Sequence, residues 1–404
     1  MREKLSFGAI QCGMMDKDFF NKDFMLDWFK RLLRTATVAV LLLTLSVGLS
    51  GAWWNFWSND SGSNRVESTR KSQLAAGNAI TDPKSLLRYA LPIDNEAIRS
   101  LQGDIEDISY SLRTKRWGAL KGDVNSASTR LNFSADEILA DIPQEYQGEA
   151  EAIISQMKEE IGELSEFAKT QDKEQIETTR DEILRGINQL EKWMVTEFPF
   201  EVPAEYAYLP QLKGRATVEM TTNKGALTLV LDGYSAPVNA GNFVDLVQRG
   251  FYDGLDFIRT QDDYYVQTGK PSRREDGFID PATGEYRAIP LEVLIRGDEL
   301  PIYEFTLEEY GIYLADIALP FSAYGTVALA HAPGEPNGGS SQVFFFLFDN
   351  ELTPPGFNLL DGRYSVFGYM IKGKEVLATL EPGDQVISAK VVDGVENLVQ
   401  PAES

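Results

Sequence analysis

The residues best suited to chemistry cluster in the second half of the chain. Arg259 is followed by Tyr264, Tyr265 and Gln267, and further on by Gln342, Phe344, Leu360 and Tyr364. The set offers one permanent cation, two amides and several aromatic or aliphatic walls. It offers no activated nucleophile: there is no G-x-S-x-G elbow, no phosphate-cradling P-loop, no dinucleotide fingerprint and no histidine pair for zinc. Cys12 is the single cysteine and His331 the single histidine. A lone arginine on a strand is ordinarily a solvated surface charge, and a run of three phenylalanines (Phe344-Phe345-Phe346) is ordinarily core. Strand alternation nevertheless puts Phe344 and Phe345 on opposite faces, so one can line a pocket while the other packs inside.

Four stretches in a fixed order give these residues a context. Phe257-Ile258-Arg259 precedes Tyr264-Tyr265-Val266-Gln267-Thr268-Gly269, and Gly325-Thr326-Val327-Ala328-Leu329-Ala330 leads to His331. Ser341-Gln342-Val343-Phe344 and Leu360-Asp361-Gly362-Arg363-Tyr364-Ser365-Val366-Phe367-Gly368 complete the set. Together they resemble the cyclophilins, and the resemblance spans nearly all of residues 214–395. It implies a peptidyl-prolyl isomerase with Arg259, Gln267 and Gln342 in the catalytic positions. Tyr264, Tyr265, Ala330, His331, Phe344, Leu359, Leu360 and Tyr364 take the substrate-binding positions. It implies no cofactor and no metal.

The implied reaction suits the residue types. Turning an X-Pro bond meets a barrier of about 18–20 kcal/mol because amide resonance must be broken, and no covalent bond is exchanged. A cation that binds the twisted imide better than the planar one lowers that barrier, more so inside an apolar slot. Three departures bear on rate and drug binding. Tyr364 stands where vigorous members carry histidine, and Leu359 where cyclosporin-sensitive members carry tryptophan. His331 stands where an asparagine contacts substrate through its backbone, so its ring is expected to be incidental.

The elements that must position these groups read as follows. Ala216–Thr222 and Ala226–Asp232 alternate around Asn223-Lys224-Gly225, a hairpin signal, and Pro237 opens a helix to Arg249. Further short strands are expected at Thr326–Ala330, 342–348, Ser365–Ile371 and Val386–Val392. The sum is a closed β-barrel with capping helices. The long stretch Pro271–Pro320 has its own turns and is placed to lie over the groove.

Ahead of the barrel, residues 82–197 carry helical stripes: Ile98, Leu101, Ile105, Ile108, Leu112; Ile154, Met157, Ile161, Leu164; Ile183, Ile187, Leu190, Met194. Ser134 and Glu137 have capping-box spacing. Short stripes of this kind bury against one another as an all-α bundle rather than as an intermolecular zipper. Residues 198–213, with three prolines, form a stiff hinge, and 396–404 a tail.

Residues 1–52 place Lys30, Arg31 and Arg34 before the uncharged run Thr35–Ala52, the pattern of an export signal or, with Trp53, Trp54, Phe56 and Trp57, of a membrane anchor. Polar residues 53–81 follow as a linker. A formal charge of −23 argues against nucleic acid, and the acidic clusters read as solvated faces. The export signal, acidic bundle, hinge and long insertion are similar to the thylakoid-lumen branch of the cyclophilins. Gly277-Phe278-Ile279-Asp280-Pro281 and Leu319-Pro320-Phe321 carry that likeness. It implies proline-containing polypeptide partners, a part in photosystem II assembly, and a helical domain that covers and restrains the groove.

Overall fold

Alternating hydrophobicity in the second half resolves into one curled antiparallel sheet. The structure, a computed structural model, describes residues 80–259, 264–271, 276–281, 283–313, 315–347 and 359–401, with the Arg259 side chain outside that description. The export or anchor segment, Cys12, nearly all of the linker and the end of the tail lie outside the described residues. Those described fall in one compact unit.

The hairpin forms with a two-residue turn: β2 (Arg215–Thr222) pairs with β3 (Gly225–Asp232) from Arg215↔Asp232 to Thr222↔Gly225. The sheet continues through β10 (Val366–Lys372), β8 (Thr326–Leu329), β9 (Val343–Phe346) and β5 (Tyr265–Thr268) to β4 (Ile258–Arg259), with β11 (Val386–Asp393) on the far side of β2. Its two ends meet through one bridge, Asp256↔Gln385, and the bonds from Gly254 N–H to Val386 and from Phe257 N–H to Asp384. The barrel therefore closes by a seam of backbone bonds rather than a full ladder. The interior holds Val218, Leu229, Val266, Val327, Phe345 and Phe367, each 0 % exposed. A short pair, β1 (Gln211–Leu212) with β12 (Leu398–Val399), ties the hinge to the chain's end.

The helix α7 (Pro237–Gln248) is buried from Pro237 to Val247 and has no cap of its own. The insertion supplies one. Glu292 accepts hydrogen bonds from the Val238 and Asn239 N–H groups (3.3 and 3.0 Å), from Asn239 Nδ2 (3.0 Å) and from the Tyr303 hydroxyl (2.8 Å). These answer the orphan donors of the first helical turn. Glu292 begins β6 (Glu292–Val293), which pairs with β7 (Ile302–Tyr303) over a small core of Leu291, Val293, Ile295, Leu307 and Ile317.

The periodic stripes form α2 (Glu96–Arg113), α3 (Trp117–Phe133), α5 (Gln147–Thr170) and α6 (Lys173–Met194), with a short α4 (Ala135–Ala140) between. Ile98, Leu101, Ile105, Ile154, Ile161, Ile183 and Ile187 meet in one core. Asn95 and Asp172 cap α2 and α6 by accepting from Ile98 and Gln175 N–H. Ser134 makes no cap bond. It also closes α3, donating its N–H to Arg130, and its backbone (φ −112°, ψ 14°) lacks the extended shape a cap needs. The first helix, α1 (Pro83–Tyr89), packs elsewhere. Its Leu86 and Leu87, with Ala90, join a cluster on the outer face of the sheet with Phe321, Phe344, Phe346 and Tyr369.

Candidate functional site

The site is assembled by register. On β5, Gln267 lies opposite Phe344 of β9, and Phe344 lies opposite Ala328 of β8. Arg259 on β4 pairs with Val266, one residue from Gln267; its guanidinium lies outside the described residues. Antiparallel pairing thus brings Gln267 and Gln342 side by side although 75 positions separate them. Gln267 Nε2 donates to Gln342 Oε1 at 2.6 Å. Gln342 Nε2 donates in turn to the Asp276 carbonyl at 2.5 Å. The chain fixes which amide end each glutamine presents, leaving the Gln267 oxygen as an acceptor.

Beside the amides stands an aromatic wall. Tyr265 and Phe344 have ring centroids 5.3 Å apart, and Tyr364 meets Phe344 edge-on at 5.4 Å. Leu360, Ala330 and Tyr264 are half-buried members of the same cluster, and Tyr264 lies edge-on to Phe346 at 5.2 Å. Such contacts exceed what area burial alone contributes. Phe344 and Phe345 divide as alternation requires, Phe344 to this outer cluster and Phe345 to the barrel interior. Burial raises the Tyr364 hydroxyl's pKa, with Tyr265 adding to the shift, so the ring is a neutral donor near neutral pH. His331 stacks on Tyr364 at 4.3 Å, and its ring nitrogens lie 3.0 Å from the Ala332 and Arg363 carbonyls. Its side chain is thus a part of the wall's far end. Ala330 donates its N–H to Gln342 O at 2.9 Å. Leu359 stands apart, 81 % exposed.

Two contributors were not among the site residues expected from the sequence. Phe321 lies parallel to Phe344 (centroids 5.9 Å, 8°) and is 1 % exposed. The Asp361 carboxylate of the Leu-Asp-Gly block accepts its N–H at 2.8 Å. Phe321 directly follows the insertion, and its place in Leu319-Pro320-Phe321, a stretch singled out for its branch likeness alone, is the signal that could have found it. The second is the Asp276 carbonyl, a backbone group that no side-chain pattern marks.

Comparison with known proteins identifies the family of the domain that holds this site. Residues 217–396 match the family described as cyclophilin type peptidyl-prolyl cis-trans isomerase. Residues 82–195 match the PsbQ-like domain of the CYP38-like isomerases. A Synechocystis protein named as a thylakoid lumen peptidyl-prolyl cis-trans isomerase is 55% identical over 92% of this chain and 96% of its own length. The chloroplastic isomerase CYP38 of Arabidopsis thaliana is 42% identical over 82% of this chain and 78% of its own. CYP37 of the same plant is 31% identical over 79% and 71%. The chain belongs to the cyclophilin-type peptidyl-prolyl cis-trans isomerases, carried behind a PsbQ-like helical domain.

Proposed function

We propose that the protein turns X-Pro bonds of polypeptides in the thylakoid lumen, with Arg259, Gln267 and Gln342 as its catalytic residues. The observation that carries this is the 2.6 Å bond between Gln267 and Gln342 beside the Tyr265–Phe344–Tyr364 wall, with Arg259 on the adjoining strand. The proline ring occupies the aromatic slot, and Gln267 accepts from the substrate backbone. Arg259 donates to the imide nitrogen, whose lone pair becomes available only when resonance is lost. Apolar walls keep water from competing for that donor. The lumenal setting follows the names of the relatives, and assistance to photosystem II assembly is the corresponding role.

The test is a proline-peptide isomerase assay on the full chain. Arg259→Ala is expected to lower kcat/KM about 100-fold, the usual loss of a charged donor to a transition state. An unchanged rate would remove the arginine from the mechanism.

A second reading has its own support. The face that carries Phe344 is closed over by Phe321 and continues to Leu86 and Leu87 of α1, leaving Phe344 only 4 % exposed. A restrained isomerase, or a peptide-binding scaffold, fits that packing. Leu87→Asp, which would drive α1 off the sheet, is expected to raise peptide turnover several-fold under this reading and to leave it unchanged otherwise.

A further inference from the structure

The insertion does more than cap α7. Its segment Glu304–Gly311, which ends in the turn Thr306–Gly311, is fastened to both loops that flank the aromatic wall. Leu307 donates its N–H to Gly362 O at 3.0 Å, and Arg363 Nη2 pairs with Glu308 at 2.8 Å, both in the block that ends at Tyr364. On the other side Asn337, in the loop after His331, donates to Glu304 O at 3.0 Å. The turn is stiff. Thr306 and Glu309 form a reciprocal capping box: Glu309 accepts from Thr306 N–H and Oγ1 (both 2.9 Å), and its own N–H donates to Thr306 Oγ1 (3.2 Å). Glu304 sits in the left-handed region (φ 66°), an unusual conformation for a side-chain-bearing residue and one that is kept only where its surroundings enforce it.

This braced turn holds two aromatic rings in water. Phe305 is 51 % and Tyr310 59 % exposed, with ring centroids 6.2 Å apart. Aromatic side chains bury large areas at low entropic cost when already rigid, which is how contact surfaces for polypeptides are built. Glu304, Glu308 and Glu309 flank them in sequence, Glu308 paired with Arg363 and Glu309 with Thr306, so the turn keeps a net negative charge.

We propose that Phe305 and Tyr310 are an accessory docking surface for the substrate chain, gripping an apolar residue with a basic neighbour a few positions from the proline in the slot. The occupant follows from continuity: the turn is bonded to Gly362 and Arg363 beside Tyr364 and, through Glu304, to Asn337 in the loop after His331, so a polypeptide held by its proline at Tyr364 has this surface as a neighbour. The acidic fringe selects the basic neighbour. The inference rests on the isomerase reading and adds selectivity among X-Pro sites.

The test compares three proline peptides on the full chain: a tetrapeptide, and two versions extended with a Phe-Lys-Phe stretch before or after the proline. Binding is read by fluorescence anisotropy and turnover by the isomerase assay. One extension is expected to tighten binding about tenfold, and the double variant F305S/Y310S to lose that gain while handling the tetrapeptide as before. A photo-crosslinking residue in the same extension is expected to label residues 304–313 of the unaltered protein, a reading independent of any variant's folding. The proposal is overturned if neither extension tightens binding, or if the gain survives in the double variant and the label falls elsewhere. A tetrapeptide neither bound nor turned over, alongside extended peptides that bind through Phe305 and Tyr310, would sink the isomerase reading and keep the surface. If no peptide binds, both fall.

Discussion

At the scale of single residues the site is a chain of amides against a wall of rings. Gln342 is its central link, accepting from Gln267 and donating to the Asp276 carbonyl. Leucine at this position keeps the size but removes both functions. Gln267 would then lose its orienting acceptor and be free to rotate, and Asp276 would lose a donor at a solvent-facing site. Gln342→Leu is therefore expected to lower kcat/KM about tenfold. Because the group is half-exposed and water can replace the lost bonds, stability should change by less than about 1 kcal/mol. Steady-state kinetics and a urea melt on the same preparation check both halves. A large loss of stability with activity kept would show that the amide chain is structural.

At the scale of elements, close backbone approach sets the geometry that the amides inherit. Where β5 ends, Gly269 has φ 94°, and a Cβ there would lie 2.2 Å from the Ser341 carbonyl oxygen. Ser341 Oγ donates to the Gly269 carbonyl at 2.8 Å, locking the two chains together just before Gln342. Gly269→Ala is expected to cost about 2 kcal/mol or more, since it adds left-handed strain and a backbone clash. It should also displace Gln342 from Gln267, which a fall in kcat/KM at temperatures well below the melt would register. Much of this level was legible beforehand. The hairpin at Asn223-Lys224, the helix opening at Pro237 and the division of Phe344 from Phe345 all follow from local rules of turns, proline and alternation. What was not legible depends on contacts distant in sequence. Glu292 caps a helix more than fifty residues earlier, and Phe321 reaches Phe344 from the end of an insertion. Ser134 misled because spacing alone cannot reveal that one residue closes α3 and opens α4.

At the scale of the whole molecule, α1 is the piece shared between bundle and barrel, and arginines from three elements hold its end. Arg99 of α2 donates to the Arg88 and Leu91 carbonyls, each at 2.8 Å. Arg215 of β2 donates to Leu87 O, and Arg296 of the insertion to Tyr89 O. The Leu87 and Tyr89 carbonyls are among those a helix leaves without an intrahelical partner at its C-terminus, and the Arg88 and Leu91 carbonyls also accept from the Leu91 and Ile93 N–H groups. Behind them Glu191 of α6 is fully buried, its Oε1 accepting from Arg99 Nη1 at 2.9 Å and its Oε2 without a hydrogen-bond partner among the described residues. Burial pushes its pKa up to about 7 from 4.5; Arg99, Arg88 and Arg215 pull it back, while Glu106 adds to the rise. The folded protein thus holds a proton that the unfolded chain has released between those two values. Stability must fall as pH rises through that window, and the contribution is complete above it, at up to about 3 kcal/mol. Asp245, whose burial is outweighed by hydrogen bonds from Arg249, Arg287 and Gln400, lies below its usual range and titrates at lower pH. Burial also raises the pKa of Glu292, Asp107, Asp123 and Glu160, which act in the same direction. Urea melts from pH 5 to 8 should therefore show the full chain losing stability, with Glu191→Gln removing a measurable part of that slope. The same slope in both proteins would place the titration elsewhere and remove Glu191 from the pH dependence.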